Sequence, residues 1–577
     1  MKSLYSLNSY FIKYKWLLLL GILFVSLSTI FGTYQAVIVR KGTNAVLKLI
    51  ANENSDVMPF IQYGCIIIGL ALMSGLFMFL MRQTIIVMSR HIEYDQKNEI
   101  YNHYQILDLN FFKNHSTGDL MNRITEDVGK VRMYTGPAVM YLVNTFVTVV
   151  TVVAFMLSVS WELTVLVFLP LPLLSFIIYK VSDKINKRST KVQQELSNLT
   201  SHAQETFSAI RVIKAYAQEK FFNDALESKN EVYKSENLKL ARTEAYFQPT
   251  MVLTIGLSIL ITVWFGGYLV IQKKIEAGNI TEFILYVYRL TWPFASLGWV
   301  TSLVQRAAAS QTRIDEFLKT EPAIKNPIHE TTSADGDIEF KNVSFTFPES
   351  GIQALKNISF QLKKGETLGI TGPVGSGKST VIQLLSRFYD SDHGEILINN
   401  KNVRQHNLYS LRKAMGVVPQ EVFLFSDTIL NNIAFAGEKK FSQNEIEQAA
   451  KNAAVYDNIE NFPAKFETMV GERGITLSGG QKQRISIARA IISEPQMLVF
   501  DDCLSAVDTE TESIILSNLK RIMKDKTSII IAQRISSIKH ADKIIYLKNG
   551  EITEQGTHEE LLNKKGDYFN LFELQKN

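Results

Sequence analysis

The chain divides into two halves with different patterns of hydrophobic and polar positions. The first half contains six apolar stretches of about the 20 residues that a helix needs to cross a membrane. They cover residues 16–37, 60–81, 139–159, 163–179, 249–271 and 282–304. Pro170 and Pro172 predict a kink in the fourth stretch. The pattern therefore predicts an all-α, six-helix transmembrane domain over residues 1–320.

The first apolar stretch has an alternative reading as a signal peptide, because Lys13 and Lys15 precede it. It is longer than the apolar region of a typical signal peptide and lacks a small-residue cleavage site. We therefore expect this segment to be retained as the first membrane helix.

Two polar intervals, of about fifty and about seventy residues, separate the second span from the third and the fourth from the fifth. Both are rich in helix formers and in Lys and Arg, which are enriched in cytoplasmic loops. Lys residues before the first span place the N-terminus on the same side. If each interval folds back on itself, two helices of about 25 residues would extend about 35 Å into the cytoplasm.

The second half has the pattern of an α/β domain with a largely parallel sheet. Pro, Ser, Thr and Asp replace the apolar runs over residues 321–337, which predicts a linker. From Ile338 to Asn577, short apolar strands alternate with amphipathic helices. Asn549-Gly550 is typical of a hairpin turn.

Composition narrows the function classes. The net charge is +5 and 20% of residues are charged, which does not fit an acidic tail protein or a strongly basic nucleic-acid binder. Cys65 and Cys503 lie in apolar surroundings and indicate small buried hydrophobes rather than a disulfide or metal site.

Residues 372–380, GPVGSGKST, fit the phosphate-binding loop pattern between a strand and a helix. Glycines let backbone amides close around phosphate groups, and the helix N-terminus adds partial positive charge. Lys378 can neutralise phosphate oxygens, and Ser379 can bind Mg²⁺. The residues expected to bind the nucleotide are Gly372, Gly375, Gly377, Lys378, Ser379 and Thr380.

The apolar run 498–500 ends at two adjacent carboxylates, Asp501 and Asp502. A carboxylate at the end of a buried strand can hold Mg²⁺ directly or through water, and we assign this role to Asp501. Before this strand, Ser478, Gly479, Gly480 and Gln481 open a predicted helix whose free amides would form a second anion site.

The order of phosphate loop, LSGGQ (477–481) and carboxylate strand resembles the nucleotide-binding domain of ABC transporters. Residues 109–128 and 205–219 also resemble the cytoplasmic loops of ABC exporters with six membrane helices. The resemblance covers nearly the whole chain. It implies an ATPase that works in head-to-tail pairs, each ATP lying between one chain's phosphate loop and the other chain's LSGGQ.

The resemblance also implies roles for single residues. Phe347 matches the aromatic that stacks on adenine, although a strand core residue is the alternative reading. Gln420 matches the glutamine that senses Mg²⁺ and the coupling helices. Residues 470–474 resemble a loop that contacts the membrane domain, and residues 505–508 resemble the segment that crosses to the opposite site.

Two positions depart from the family pattern. Asp502 stands where the family has the glutamate that acts as general base, and Gln533 stands where it has the switch histidine. Asp is one methylene shorter, and a misplacement of about 1 Å can cost about a hundredfold in rate. Gln can donate a hydrogen bond but cannot carry a proton or positive charge. The alternative is that both residues work at a reduced rate.

With LSGGQ intact, the chain resembles the subunit of a heterodimeric exporter that carries a degenerate nucleotide site. Such a half-transporter would bind ATP and Mg²⁺ and complete the hydrolytic site of a second half-transporter. A slow homodimer and an ATP-binding regulatory or gating subunit stay open. We expect a multi-pass protein of a bacterial cytoplasmic membrane, in contact with membrane lipids, with the nucleotide-binding domain in the cytoplasm and no nucleic-acid partner.

The sixth span carries the candidate substrate residues. Its aromatic residues, among them Tyr288 and Trp292, could line a cavity for hydrophobic or amphipathic drugs or lipids, or serve as packing and interfacial anchors. Arg289 is a charge inside a span, so it is a candidate for contact with anionic groups. Extension of its side chain to the outer interface is the competing interpretation.

Overall fold

The computed structural model describes residues 2–52, 58–326, 328–437, 440–471, 474, 477–504 and 508–576. The chain forms two compact units. The first contains Met1–Gln105 and Thr117–Thr320, and the second contains Ile106–Ser116 and Glu321–Asn577. The segment 106–116 therefore belongs to the second unit, although the predicted boundaries assign it to the transmembrane domain.

The first half of the chain is helical. Its helices are α1 (Asn8–Lys13), α2 (Lys15–Asn52), α3 (Met58–Ile106), α4 (Leu109–Asn114), α5 (Thr117–Asn122), α6 (Val128–Met133), α7 (Val139–Val159), α8 (Trp161–Phe168), α9 (Pro170–Ser208), α10 (Ile210–Ala215), α11 (Glu219–Ala245), α12 (Phe247–Ile271) and α13 (Ala277–Leu318). Two π-helical segments, Arg123–Asp127 and Tyr134–Ala138, connect α5, α6 and α7. The second contains Pro137, which cannot donate a backbone hydrogen bond.

Among the described residues, four helical stretches have the length and apolar composition to cross a membrane. They are Lys15–Ile50, Met58–Ile106, Thr117–Val159 and Glu219–Ile271, and they contain the first, second, third and fifth predicted spans. The fourth and sixth predicted spans are also helical, in α8 with α9 and in α13. In the fourth, the helix is interrupted at Leu169, directly before Pro170, as the predicted kink requires.

The polar intervals are long helical extensions, as the sequence predicts. Helix α3 continues for about 25 residues beyond the end of its predicted span, which is about 37 Å at 1.5 Å per residue. In the second interval, α9 and α11 form the two long arms. The short helices α4 and α10 follow the ends of α3 and α9.

The second unit contains two sheets. Its strands are β1 (Ile338–Thr346), β2 (Gln353–Leu362), β3 (Thr367–Thr371), β4 (His393–Ile398), β5 (Lys401–Asn402), β6 (Met415–Val418), β7 (Met497–Asp501), β8 (Thr527–Ile531), β9 (Lys543–Lys548) and β10 (Glu551–Gly556). A six-stranded sheet has the order β10-β9-β3-β8-β7-β6 and is parallel except for the β9–β10 hairpin. A four-stranded antiparallel sheet has the order β2-β1-β4-β5.

Helices cover the parallel sheet. They are α14 (Lys378–Leu385), α15 (Leu408–Lys413), α16 (Ile429–Ala434), α17 (Gln443–Asn452), α18 (Tyr456–Glu460), α19 (Gly479–Ile492), α20 (Thr509–Met523), α21 (His558–Lys564) and α22 (Asp567–Lys576). Strand β7 is buried along its whole length, as expected for a central parallel strand. Strands β3 and β8 are parallel to β7 and end at the same edge of the sheet, where parallel strands present their binding loops.

The β9–β10 hairpin confirms the turn that the sequence predicts. Asn549 and Gly550 have φ values of 52° and 83°, the left-handed conformation that favours Asn-Gly in a two-residue hairpin loop.

Candidate functional site

The phosphate loop connects β3 to α14, in the predicted strand–turn–helix context. Gly377 is the N-cap of α14 with φ of 95°, and a Cβ on it would collide with the carbonyl of Ala354. A side chain at this position is therefore excluded by both conformation and space. The ammonium of Lys378 donates to the carbonyl oxygens of Gly372 at 2.8 Å and Pro373 at 2.7 Å, which holds it inside the loop.

The loop has the shape and donors that phosphate groups require. Gly375 has φ of 79°, and a Cβ there would meet no atom within 4 Å, so the space beside the loop is open. The hydroxyl of Ser376 is buried and has no hydrogen-bond partner in the described parts of the chain. The first amides of α14 have no intrahelical acceptor and carry the positive end of the helix dipole. These residues fit the triphosphate of a nucleotide.

Asp501 and Ser379 lie side by side at the end of β7. The Ser379 hydroxyl donates to the Asp501 carboxylate at 3.0 Å. Burial raises the pKa of Asp501, and the nearby Ser379 and Lys378 oppose that rise. Gln420 follows β6 and contributes to the same cleft. A hydroxyl, a carboxylate and an amide oxygen are the oxygen ligands that suit Mg²⁺.

Asp502 is held by the segment that follows β8. It adopts φ of 46°, and its backbone N–H donates to the Ile531 carbonyl at 2.9 Å. Burial raises the pKa of Asp502, while the backbone N–H of Gln533 and the charges of Lys378 and Arg534 oppose the rise.

The switch segment around Gln533 is bound on both sides by the last helix of the chain. The Gln575 side-chain amide donates to the Gln533 carbonyl at 2.8 Å, and its oxygen accepts from the Ile535 N–H at 2.8 Å. Arg534 forms an ion pair at 2.5 Å with Glu512, a buried carboxylate on α20. The Gln533 side chain itself is exposed.

Phe347 directly follows β1 and is half-buried, whereas its neighbour Phe345 is a core residue. It packs edge-on against Phe345 and Tyr389, with ring centroids 5.0 and 5.6 Å away. The ammonium of Lys113, on α4, lies 5.0 Å from the centroids of both Phe347 and Tyr389. Phe347 therefore packs against the core and also lines the cleft described below, so both readings of this residue stay open.

A cleft of about 450 Å³ joins these elements. The predicted residues that line it are Phe347, Gly375, Gly377, Lys378, Ser379, Thr380, Gln420, Asp501, Asp502 and Gln533. Gly372 lies next to the cleft and holds Lys378. Sequence reasoning missed Val374, Asn549 and Gly550, which also line it. The hairpin turn at 549–550 was recognisable, but only the folded sheet places it beside the phosphate loop.

The LSGGQ residues lie outside this cleft. Ser478 caps α19 and accepts from the Gln481 N–H at 3.3 Å, while the Gln481 side chain accepts from the Ser478 N–H at 2.9 Å. This capping box leaves Gly479 and Gly480 at the first turn of α19. Among the residues predicted to contact other parts of the assembly, Glu472, Arg473 and residues 505–507 lie outside the described residues.

In the first unit, the candidate substrate residues lie within about one turn of α13. Tyr288 and Trp292 are 59% and 61% exposed and are one helical turn apart. Arg289 is half-buried, and its Nη2 donates weakly to the carbonyl of Thr29 on α2, at 3.5 Å. Arg289 and Trp292 are three residues apart, a spacing that makes them neighbours on the helix surface.

Comparison with known proteins identifies both halves. The profile of the ABC transporter transmembrane region matches residues 18–294, and the ABC transporter profile matches residues 355–505. The multidrug resistance-like ATP-binding protein MdlA of Escherichia coli is 37% identical over 81% of this chain and 79% of its own length. The ATP-dependent lipid A-core flippase of Photobacterium profundum is 33% identical over 91% of this chain and 89% of its own.

A solved structure supports the same assignment. A bacterial Atm1-family ABC exporter with ATP bound superposes with a TM-score of 0.80 at 26% identity, covering 98% of this chain and 100% of that one. The predicted fold class, a helical transmembrane domain followed by an α/β nucleotide-binding domain, is confirmed. The protein is a multi-pass membrane protein and an ATP-binding ATPase coupled to transport, with its nucleotide-binding domain on the cytoplasmic side. The chain belongs to the ABC transporter family, as an exporter of the multidrug or lipid type.

Proposed function

We propose that this chain is the half of a heterodimeric exporter that binds ATP at a slow, degenerate site. The observation that carries the proposal is that Asp502 and Gln533 line the nucleotide cleft at the positions where the family has a glutamate and a histidine. The Asp502 side chain is one methylene shorter than glutamate, and a carboxylate displaced by about 1 Å is poorly placed to activate water.

In this proposal the remaining residues of the cleft bind MgATP. Lys378 and the amides of the phosphate loop hold the phosphates, and Ser379, Asp501 and Gln420 hold Mg²⁺, which neutralises phosphate charge. Phe347 stacks on adenine. The intact Ser478–Gln481 turn at the start of α19 completes the hydrolytic site of the partner half-transporter, where most turnover takes place.

Two other functions make different use of the same residues. A homodimer would hydrolyse ATP slowly at two sites that both rely on Asp502 and Gln533. A regulatory or gating subunit would bind ATP without coupling hydrolysis to transport. ATPase activity that rises with a transported compound distinguishes a transporter from a gate.

For the cargo we propose hydrophobic or amphipathic compounds. The printed names of the relatives, a multidrug resistance-like protein and a lipid A-core flippase, support this class. Within α13, Tyr288 and Trp292 present large exposed aromatic surfaces, and Arg289 adds a positive charge. Membrane lipids surround the transmembrane helices and are one source of such compounds.

The experiment is native mass spectrometry of the tagged chain, purified gently from its own host at natural expression. We expect a related chain of similar size that carries Glu and His at the positions equivalent to Asp502 and Gln533. Removal of that partner's glutamate should abolish ATP turnover, whereas Asp502→Asn should leave most of it. A preparation that contains only homodimers, or a loss of turnover in Asp502→Asn, would overturn the proposal.

A further inference from the structure

Arg289 is a charged side chain within a membrane-spanning helix. Helix α13 begins at Ala277, directly after the polar sequence QKKIE, and Arg289 lies 12 residues later. The predicted span begins at residue 282, so at 1.5 Å per residue Arg289 lies about 10 Å into it. This is about a third of the way across a hydrocarbon core of about 30 Å. A charge at such depth is costly and normally faces a partner, the protein interior or a water-filled cavity.

Glu282, the carboxylate of α13 that lies near Arg289 in the sequence, already has its own hydrogen-bond donors. Glu282, two turns before Arg289, accepts from Arg40 at 3.1 Å, from Asn279 at 3.1 Å and from Tyr286 at 2.8 Å. It is buried, and its charge is balanced by Arg40. In the described part of the chain, no carboxylate forms an ion pair with Arg289. The protein thus neutralises one arginine of this region and leaves the other without an acid.

The guanidinium of Arg289 has nearly all of its hydrogen-bonding capacity left. Its Nη2 makes a 3.5 Å contact with the carbonyl of Thr29, and its Nε is shielded from solvent and has no hydrogen-bond partner among the described residues. A guanidinium has five N–H donors, and a buried donor without an acceptor is destabilising. Gly32 provides the space, since a Cβ at that position would collide with the guanidinium.

A second polar group adjoins this position from another helix. The Thr29 hydroxyl donates to the side-chain oxygen of Asn144, on α7, at 3.5 Å. The Asn144 NH₂ has no acceptor among the residues that the structure describes. Helices α2, α7 and α13 therefore place a guanidinium and an amide donor on either side of Thr29.

We infer that Arg289, Thr29 and Asn144 form a binding site for the acidic head group of an amphipathic compound, such as a phosphate or carboxylate. This inference rests on the proposed export of amphipathic compounds and specifies their charge. An acid would pair with the Arg289 guanidinium through charge-assisted hydrogen bonds, which are strong at a site removed from water. Asn144 would supply a further donor to the same head group.

The test compares two probes with the same C12 alkyl chain, dodecyl phosphate and dodecyltrimethylammonium. The full-length protein with its natural partner is placed in phosphatidylcholine nanodiscs, and ATPase activity is titrated with each probe. In Arg289→Gln we expect the half-effective concentration of dodecyl phosphate to rise about 10- to 100-fold, as for the loss of a charge-assisted hydrogen bond. The response to dodecyltrimethylammonium should be unchanged.

Three variants serve as controls. Arg306→Gln removes an exposed arginine of the same helix and should change neither titration. Arg289→Lys keeps the charge and should raise the half-effective concentration of dodecyl phosphate less than Arg289→Gln does. Asn144→Ala should raise the half-effective concentration of dodecyl phosphate about threefold to tenfold and leave that of the cationic probe unchanged. These last two keep the inference testable if Arg289→Gln does not fold.

The outcomes separate this inference from the proposed function. The proposed acidic site is overturned if Arg289→Gln responds to dodecyl phosphate like the wild type. It is also overturned if the variant loses its response to both probes equally. If only the cationic probe stimulates the wild type, the acidic site fails while amphipath export stands. If neither probe changes the ATPase activity of the wild type, both the acidic site and the proposed export of amphipathic compounds fail. Nanodiscs with phosphatidic acid identify the source, because a lipid head group should reproduce the dodecyl phosphate response and a free amphipath should not.

Discussion

At the residue scale, the reactivity of the nucleotide site depends on Asp502 and Gln533. The other groups of the cleft are in the arrangement that nucleotide binding requires, with Lys378 inside the phosphate loop and Ser379 beside Asp501. Under the proposed function, the shorter carboxylate and the missing imidazole limit hydrolysis rather than ATP binding.

We predict that Asp502→Glu combined with Gln533→His raises ATP turnover at this site about 10- to 100-fold. The glutamate side chain is one methylene longer and reaches further into the cleft, and a misplacement of about 1 Å is worth about a hundredfold in rate. Turnover is measured in the dimer after the partner's catalytic carboxylate has been removed, so that only this site contributes. Asp502→Asn is the matched control and should show no gain; equal rates in both variants would contradict the prediction.

Several residues of the site were predictable because they are contiguous. The segment 372–380 and the strand that ends at Asp501 each carry their function in a short stretch of sequence. Tyr389 and Lys113 were not predictable, because they meet Phe347 only after distant segments have folded together. The same holds for Thr29, whose contact with Arg289 joins positions 260 residues apart.

At the element scale, α22 supports the switch segment through Gln575. We predict that Gln575→Ala increases hydrogen exchange at the Ile535 amide about 2- to 10-fold, because that amide loses its acceptor. Hydrogen exchange of the full-length protein, followed by mass spectrometry, measures this effect. Gln575→Glu keeps the acceptor for Ile535 and loses only the donor to Gln533, so it should restore protection. Unchanged exchange in Gln575→Ala would contradict the role of α22.

Helix α4 is anchored by a cation over two aromatic rings. Asp108 caps the helix by accepting from the Phe111 N–H at 3.1 Å, and also accepts from the Ala323 N–H at 2.5 Å. These contacts, with Lys113 over Phe347 and Tyr389, fasten the segment 106–116 to the rest of the second unit.

We predict that Lys113→Ala increases exchange of the backbone amides of 109–114 about 2- to 10-fold. Each exposed cation–π contact contributes about 0.5–1 kcal/mol, and the substitution removes two. Hydrogen exchange of the full-length protein again provides the measurement. Lys113→Arg keeps the cation and should behave like the wild type. If it exchanges as fast as Lys113→Ala, the cation–π contacts do not anchor α4.

The predicted strands, the hairpin and the long cytoplasmic helices follow from local periodicity, and the structure contains them. The four-stranded antiparallel sheet was not predicted, because β1, β2, β4 and β5 are half-polar strands separated by loops and helices. Their pairing depends on contacts across the chain rather than on any one segment.

At the scale of the whole molecule, the proposed asymmetry predicts unequal nucleotide retention. After incubation with radiolabelled ATP and rapid gel filtration, about one intact ATP should stay bound per dimer, at the site of this chain. In the Asp502→Glu, Gln533→His variant the retained label should be mostly ADP or lost. Retention of no intact ATP by the wild type, or of two per dimer, would contradict a single slow site.

The membership of 106–116 in the second unit has a consequence for synthesis of the chain. These residues leave the ribosome more than 200 residues before Phe347 and Tyr389 exist. At about 5–20 residues per second, translation needs roughly 10 to 50 seconds to produce the surface on which Lys113 packs. During that interval the segment has no native partner in the second unit, while the first three membrane spans are already being inserted. The segment 106–116 is therefore made first and must wait for the rest of the nucleotide-binding unit before it can pack.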